Sequence, residues 1–236
     1  MITVILSDNV SLIKGDAYEV LPTLKEKSVD LIHTDPPYLI HSGTNIGKFM
    51  ESRGVKSQQQ KLIKADISDG FDYSIFDDFK RVCKTINYQI WCNKKQFIDY
   101  LIMAKENKWN WQDIHLFRNN PLPNVRGKYV DSDYLVHLWK GRTLTGAYKD
   151  KFTNYSWNIG GKKVWNHPAL KPVEPIEHLL QVGSNDGDVV LDPFMGSGST
   201  AIACINTNRG FIGIEKDEEF FNMAVVRITE LLNGKN

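Results

Sequence analysis

The residues Asp35-Pro36-Pro37-Tyr38 have the types and the order needed to hold a planar, amino-bearing group. They follow a β-branched and apolar run at 29–33 that predicts a strand. Two prolines cannot continue the hydrogen-bond ladder of a sheet, because neither has an N–H to donate. The strand therefore ends at Asp35, at the sheet edge where α/β folds bind ligands. A carboxylate, rigid carbonyls and an aromatic ring suit a nucleobase, although a proline-rich surface turn would have the same short sequence.

A second motif, at 192–200, combines an acid with two closely spaced glycines. It follows a buried-type apolar run and precedes a helical stretch beginning at Ala201, which is the pattern of a strand, a glycine turn and a helix. The next predicted strand ends at Glu215, roughly 20 positions after Asp192, the interval at which nucleotide-binding folds place a carboxylate on ribose hydroxyls. This combination favours an adenosine-containing ligand.

Two other classes of nucleotide-binding site do not match this spacing of residues. Ala201 stands where the third glycine of a dinucleotide fingerprint would be, and Asp192 would place a negative charge beside a pyrophosphate. No lysine follows the glycines, as a phosphate-cradling loop would need. An acid at this point instead suits a cationic or amino-bearing ligand.

The formal net charge is only +1, but basic residues gather in two irregular segments, at 48–64 and 140–171. The second segment interleaves them with aromatic residues, a pattern that suits a nucleic acid, and packing of the rings onto the protein body is the alternative. The candidate contacts with such a polyanion are Lys48, Arg53, Lys56, Arg126, Lys149, Lys151, Lys162 and Lys163.

The length of 236 residues predicts one α/β domain, with a mobile loop at about 39–69 and a short recognition insert at about 141–166. Asn119 to Asn124 is predicted to be a turn. The three cysteines have no metal-type spacing, and their odd number argues against a disulfide framework. No signal peptide or long apolar span is present, which predicts a soluble intracellular protein. Strands are predicted to end near Gly15, Asp35, Asn93, Arg118, Lys140, Asp192 and Glu215.

Taken together, the motifs resemble the beta class of S-adenosylmethionine-dependent DNA amino-methyltransferases, in which the Asp-Pro-Pro-Tyr motif precedes the glycine-rich motif. Further matches are Gly15-Asp16, Ile90-Trp91-Cys92, the Asn-Pro-Leu-Pro-Asn string at 120–124 and the His-Pro-x-x-Lys-Pro string at 167–172. The resemblance implies a Rossmann-like, seven-stranded, mostly parallel sheet with one antiparallel strand and helices on both faces.

The same resemblance implies the site residues, with S-adenosyl-L-methionine as the cofactor and no metal. The catalytic residues would be Asp35, Pro36, Pro37 and Tyr38. Within the cofactor site, Glu215 would hold the ribose, Asp16 the adenine edge and Lys171 the methionine carboxylate. The full set of cofactor-binding residues would be Asp16, Ala17, Asp35, His167, Lys171, Pro172, Asp192, Pro193, Phe194, Gly196, Ser197, Gly198, Thr200 and Glu215.

The implied reaction is methyl transfer to the exocyclic amino group of a base flipped out of double-stranded DNA. Aspartate before Pro-Pro-Tyr is typical of the adenine enzymes of this class, so the 6-amino group of adenine is the expected target, with the cytosine 4-amino group and RNA as alternatives. A homodimer, a cognate restriction endonuclease and a cytoplasmic, nucleoid-associated location are further expectations. The glycine spacing disfavours a nicotinamide dehydrogenase, and the complete catalytic motif disfavours an inactive nucleic-acid-binding protein.

Overall fold

A computed structural model describes residues 1–37, 72–123, 129–141, 144–145, 154–157 and 171–234. The described strands are β1 (Ile2–Ser7), β2 (Val10–Lys14), β3 (Leu31–Thr34), β4 (Ile86–Cys92), β5 (Asn110–Pro123), β6 (Tyr129–Lys140), β7 (Asn154–Trp157), β8 (Val189–Asp192) and β9 (Gly210–Glu215). The described helices are α1 (Ala17–Val20, continued by a 3-10 turn at Leu21–Thr23), α2 (Ile75–Val82), α3 (Lys94–Asn107), α4 (Val173–Gly183), α5 (Ser199–Asn206) and α6 (Glu218–Gly234).

The strands form one sheet in the order β1-β2-β9-β8-β3-β4-β6-β5-β7. Strands β2, β9, β8, β3 and β4 run parallel, and β6 is antiparallel to both of its neighbours. The predicted mostly parallel α/β sheet is therefore confirmed, and the seven predicted strands form its continuous middle. Two further strands extend it in the described part of the chain: β1 pairs antiparallel with β2 at one edge, and β7 pairs parallel with β5 at the other.

The register of the parallel strands sets which residues share an edge. Ile32 pairs with Leu191, Asp192 with Gly213, and Lys14 with Glu215. The residues that follow β2, β3, β8 and β9 therefore emerge side by side at the carboxyl edge of the sheet. Strand β6 runs antiparallel to β4, so residues near the beginning of β6 lie beside the end of β4 at this same edge. There Tyr134 pairs with Cys92.

Helices cover both faces of the sheet, and neighbouring strand residues divide between two apolar clusters. Ile32 belongs to the cluster beneath α1, α2 and α3, whereas Leu31 belongs to the cluster beneath α4, α5 and α6. Both side chains are fully buried, and burial of one such side chain contributes about 1.5–3 kcal/mol. The sequence spacing of Ile75, Phe76, Phe79 and Val82 predicts that they share one helical face, and these four are the buried residues of α2.

One local prediction is wrong. Asn119 to Asn124 is expected to form a turn, but β5 continues to Pro123, with a register shift between Phe117 and Leu122 in its pairing with β6. A bulge of this kind tolerates prolines in a strand, because the ladder is already interrupted there.

The predicted mobile loop lies outside the described residues, as does the predicted insert apart from 141, 144–145 and 154–157. Within the described part of the chain, no helix is both long and apolar enough to cross a membrane.

Candidate active site

Asp35 follows β3 at the carboxyl edge and forms an ion pair with Lys171. The Nζ atom of Lys171 lies 3.4 Å from Oδ2 of Asp35 and 3.9 Å from Oδ1 of Asp133, the residue just before Tyr134 in β6. The Lys171 side chain is 15% exposed and that of Asp35 is 22% exposed. One ammonium therefore balances two partly buried carboxylates, where solvent and salt screen the interaction less than at the surface.

The ring of Trp91 forms the floor beneath this ammonium, with its centroid 4.6 Å from Nζ of Lys171. The indole N–H of Trp91 donates to Nε2 of His33 over 3.0 Å, and an indole can only donate. The other ring nitrogen of His33 therefore carries the hydrogen and donates to Oε1 of Gln89, over 2.8 Å. The Gln89 amide in turn donates to the carbonyl of Leu179 in α4, over 2.7 Å, so a buried chain of hydrogen bonds orients Trp91.

His33 is neutral in this hydrogen-bonded chain. Burial lowers its pKa to about 4, the hydrogen bond with Gln89 opposes this, and the charge of Lys171 lowers the pKa further. A neutral imidazole is required, because Nε2 must accept from Trp91.

The carbonyl of Pro37 accepts a hydrogen bond from Nε2 of Gln96, over 3.2 Å. Gln96 takes part in a reciprocal cap at the start of α3: its backbone N–H donates to Oδ1 of Asn93, and its Oε1 accepts from the backbone N–H of Asn93. The proline turn is therefore tied to the first turn of a helix.

Asp192 is buried and accepts three hydrogen bonds from the protein itself. The hydroxyls of Thr34 and Thr200 donate over 2.8 and 2.7 Å, and the backbone N–H of Phe194 donates over 3.1 Å. Burial raises the pKa of Asp192 to about 6, and the three hydrogen bonds oppose that rise. Since Thr34 directly precedes Asp35, this carboxyl joins the two sequence motifs and braces β3, β8 and α5 against each other.

The glycine turn has the backbone conformation that its sequence requires. Gly196 and Gly198 have φ angles of 54° and 84°, in the left-handed region that only glycine enters freely. A Cβ at Gly198 would also lie 3.2 Å from the Cβ of Ala224 in α6. From the same helix, Arg227 donates to the backbone carbonyl of Ser197 over 2.5 Å and to its hydroxyl over 3.0 Å. Helix α6 thus fixes the turn from behind.

Glu215 and Asp16 lie at the ends of two neighbouring strands. Glu215 accepts from the backbone N–H of Gly196 over 2.8 Å and from that of Asp217 over 2.7 Å. Burial raises the pKa of Glu215 to about 7, and these two hydrogen bonds oppose the rise. Asp16 caps α1 by accepting from the N–H of Tyr18, and its other oxygen lies 3.3 Å from Nζ of Lys216.

The structure places the described part of the predicted site at this one edge. Pro172 precedes α4, and the hydroxyl of Ser199 in α5 donates to the Lys171 carbonyl over 2.9 Å, so the Lys-Pro string adjoins the glycine turn. Pro193 and Phe194 directly follow β8, and Ala17 is the first residue of α1, just after Asp16. The predicted residues outside the described part are Tyr38, His167, Lys48, Arg53, Lys56, Arg126, Lys149, Lys151, Lys162 and Lys163.

Some residues of the site have no predicted role from the sequence. These are His33, Gln96, Asp133 and Arg227, together with the ring of Trp91 as a floor for Lys171. The Asn93-x-x-Gln96 spacing is the sequence signal of a reciprocal helix cap and could have identified Gln96. The others depend on contacts between distant segments and leave no local pattern.

The geometry fits a ligand with an adenosyl group. Two carboxylates on neighbouring strand ends can accept from hydroxyl and amino groups, and the left-handed glycines let a backbone pass close to a ligand. Fold and site define a methyltransferase that uses S-adenosyl-L-methionine. More narrowly, the chain belongs to the DNA methylase family of amino-methyltransferases, which it matches over residues 29–226.

Curated relatives agree with this assignment. The type II methyltransferase M2.LlaDCHI of Lactococcus lactis subsp. cremoris is 26% identical, over 94% of this chain and 90% of the relative. The type II methyltransferase M.HinfI of Haemophilus influenzae is 28% identical, over 96% of this chain and 70% of the relative.

Solved structures agree as well. The crystal structure of the M1.HpyAVI–SAM complex aligns with a TM-score of 0.67 at 26% identity, covering 92% of this chain and 99% of that one. The PvuII cytosine-N4-specific DNA methyltransferase aligns with a TM-score of 0.70, covering 94% and 86% of the two chains, but at 17% identity it supports the fold alone. The predicted family, cofactor and DNA methyltransferase activity are confirmed.

Proposed function

We propose that this protein transfers a methyl group from S-adenosylmethionine to the exocyclic 6-amino group of an adenine flipped out of double-stranded DNA. The supporting observation is the hydrogen bond from Thr34 to Asp192, over 2.8 Å. It joins the strand end that presents Asp35 to the strand end that starts the glycine turn. A group held at Asp35 therefore lies beside the loop assigned to the methyl donor.

The proposed mechanism assigns roles to the catalytic turn. Bound S-adenosylmethionine supplies an electrophilic methyl group on its sulfonium. The carboxylate of Asp35 and the carbonyl of Pro36 accept the two amino hydrogens, which favours a pyramidal nitrogen whose lone pair points at the methyl group. Methyl transfer would leave a surplus proton on the nitrogen, and the Asp35 carboxylate would accept that proton. Tyr38 stacks on the extruded base.

The proposed cofactor contacts follow the strand ends. Asp16 would meet the adenine edge and Glu215 the ribose hydroxyls. The methionine part would be bordered by Asp192, Phe194, Gly196, Ser197 and Thr200, with His167 and Pro172 beside it. Lys171 would meet the methionine carboxylate. Because its ammonium also lies 3.4 Å from Asp35 and 3.9 Å from Asp133, that contact requires three carboxylates to share the ammonium.

Adenine is proposed over cytosine for two reasons. The aspartate at position 35 is the form that resembles adenine enzymes. An A·T pair also has fewer hydrogen bonds than a G·C pair, and flipping costs on the order of a few kcal/mol. The 4-amino group of cytosine is the second candidate, since the same turn could accept the hydrogens of either amine. A homodimer and a cognate endonuclease stay predictions.

The test of the base is nucleoside mass spectrometry of unmodified DNA treated with the purified protein and S-adenosylmethionine. The expected product is 6-methyladenine. Appearance of 4-methylcytosine alone would refute the base assignment, and absence of both would refute the proposed reaction.

The test of the catalytic role is Asp35→Ala. Methylation should be abolished while cofactor affinity falls at most moderately, because the carboxylate acts mainly in the transition state. The matched control is Asp77→Ala, which removes an 85% exposed carboxylate on α2. Full activity in folded Asp35→Ala would contradict the assignment.

A further inference from the structure

The side chain of Gln96 forms a bridge between a rigid helix end and the catalytic turn. It is 1% exposed. Its Nε2 donates to the carbonyl of Pro37 over 3.2 Å, while its Oε1 accepts from the backbone N–H of Asn93 over 3.3 Å. Both ends of the amide are used, so its orientation is defined by one donor and one acceptor contact.

The chemistry of the turn makes this bridge important. Pro36 and Pro37 have no N–H, so neither can donate a backbone hydrogen bond that would hold the turn. A hydrogen bond between the protein and their backbone polar groups must be made at a carbonyl, and Gln96 makes such a bond. Because both proline rings fix φ, an anchor at the Pro37 carbonyl also restricts the positions that the preceding residues Asp35 and Pro36 can take.

The support of Gln96 is itself rigid. Helix α3 begins shortly after β4, and β4 pairs with β3 through Ile90 and Thr34, next to Asp35. The backbone N–H of Gln96 donates to Oδ1 of Asn93 over 3.0 Å, and the N–H of Phe97 donates to the Asn93 carbonyl, also over 3.0 Å. The amide is thus attached to the same sheet edge as the aspartate.

We propose that Gln96 is a positioning residue for methyl transfer, holding the Pro37 carbonyl so that Asp35 and the Pro36 carbonyl face the target amine. This inference rests on the proposed function. Gln96 touches neither substrate nor cofactor in this scheme and acts through the turn. Its loss is expected to lower turnover on the order of tenfold to a hundredfold, the size of effect that misplacement of a reacting group produces.

The substitution Gln96→Glu separates this role from simple packing. An ionised glutamate side chain at this position would place a second acceptor against the Pro37 oxygen and repel it. A protonated glutamate side chain has one O–H donor and one carbonyl acceptor. It can therefore replace both contacts of the amide, which uses an N–H donor and a carbonyl acceptor. Burial raises the pKa of a carboxyl above its ordinary value of about 4.3, so protonation is reached at mildly acidic pH.

The experiment compares wild type, Gln96→Glu and Gln96→Leu by kcat between about pH 6 and about pH 8.5, with cofactor affinity measured by calorimetry. The ratio of kcat in Gln96→Glu to kcat in wild type should be low at high pH and recover as pH falls. Gln96→Leu should stay low throughout. Cofactor affinity should change by less than about twofold, since Gln96 bonds to Pro37 and Asn93, neither of which is proposed to hold the cofactor.

The control is Asn107→Asp, which adds a negative charge at the exposed far end of the same helix. Its pH profile should follow wild type, and thermal melting verifies that each variant is folded. A flat ratio for Gln96→Glu, or a loss confined to cofactor affinity, would overturn the inference. Failure of the wild-type protein to methylate DNA would instead overturn the proposed function, so the two failures are distinguishable.

Discussion

The ammonium of Lys171 lies 3.4 Å from a carboxylate oxygen of Asp35. The two residues belong to motifs that are far apart in the chain, and a buried indole, held by a neutral histidine, supports the ion pair from below. Asp35 and the Lys-Pro string therefore form one electrostatic unit. A substitution of Lys171 should change the charge environment of Asp35 more than that of any more distant group.

Lys171→Met should lower turnover on the order of tenfold to a hundredfold, because Asp35 and Asp133 would both lose the ammonium that lies within 4 Å of each. Lys171→Arg keeps the charge and the stacking on Trp91 and should retain more activity. Steady-state kinetics with cofactor titration is the measurement. If only cofactor affinity falls, Lys171 serves the methionine carboxylate and not Asp35.

Gly196→Val should abolish binding of S-adenosylmethionine, because a branched side chain would stand where the backbone must approach the ligand. The backbone has φ 54° there, so the substitution also adds strain of about 1–2 kcal/mol. Gly187→Val is the matched control: its φ is 81°, but a Cβ there meets nothing within 4 Å. Calorimetry on both folded variants should show loss only at position 196. Equal affinity in the two would place the pocket elsewhere.

The raised pKa of Glu215 predicts two pH effects. Between its ordinary value of 4.5 and about 7, the folded protein keeps a proton that the unfolded chain releases, so stability falls as pH rises through this range. Cofactor affinity should rise over the upper part of the range, since an ionised carboxylate accepts from ribose hydroxyls more strongly.

Glu215→Gln should remove the rise in affinity and reduce the fall in stability. Some pH dependence of stability should persist, because the pKa of Asp192 is also raised, to about 6. Glu219→Gln, at an exposed position of α6, is the control that should keep both effects. Denaturant unfolding and calorimetry across pH measure them. A cofactor affinity with the same pH profile in Glu215→Gln and wild type would argue against the ribose role.

Neutralising Lys149, Lys151, Lys162 and Lys163 should weaken DNA binding and flatten its salt dependence. The slope of log affinity against log salt should shrink by about 0.9 for every phosphate that the variant no longer neutralises. These lysines lie outside the described residues, and the prediction rests on their clustering in the sequence. Neutralising Lys25 and Lys105, which are exposed on the described surface, is the comparison. A slope unchanged by the first set would move the DNA-binding surface to the 48–64 segment.

Local rules were enough to predict the strand ends and the conformation of the glycine turn. Two prolines must stop the strand after Thr34, and Gly196 and Gly198 adopt the left-handed angles that a tight strand-to-helix turn needs. The apolar spacing of α2 predicted its buried face residue by residue. Each of these features depends on neighbours within a few positions, which a sequence shows directly.

Only the tertiary structure decided which charges meet and which segments join the sheet edges. The sequence predicts that Asp192 suits a cationic or amino-bearing ligand, and the fold adds that it accepts hydrogen bonds from two threonines and a backbone N–H. Strands β1 and β7 and the continuation of β5 through its prolines depend on the strands with which they pair. The interactions of Lys171 with Asp35 and of Gln96 with Pro37 likewise join distant segments. Sequence periodicity indicates which face of a helix or strand is buried. The contacts of a residue with a segment far away in the chain are instead set by packing of the whole sheet.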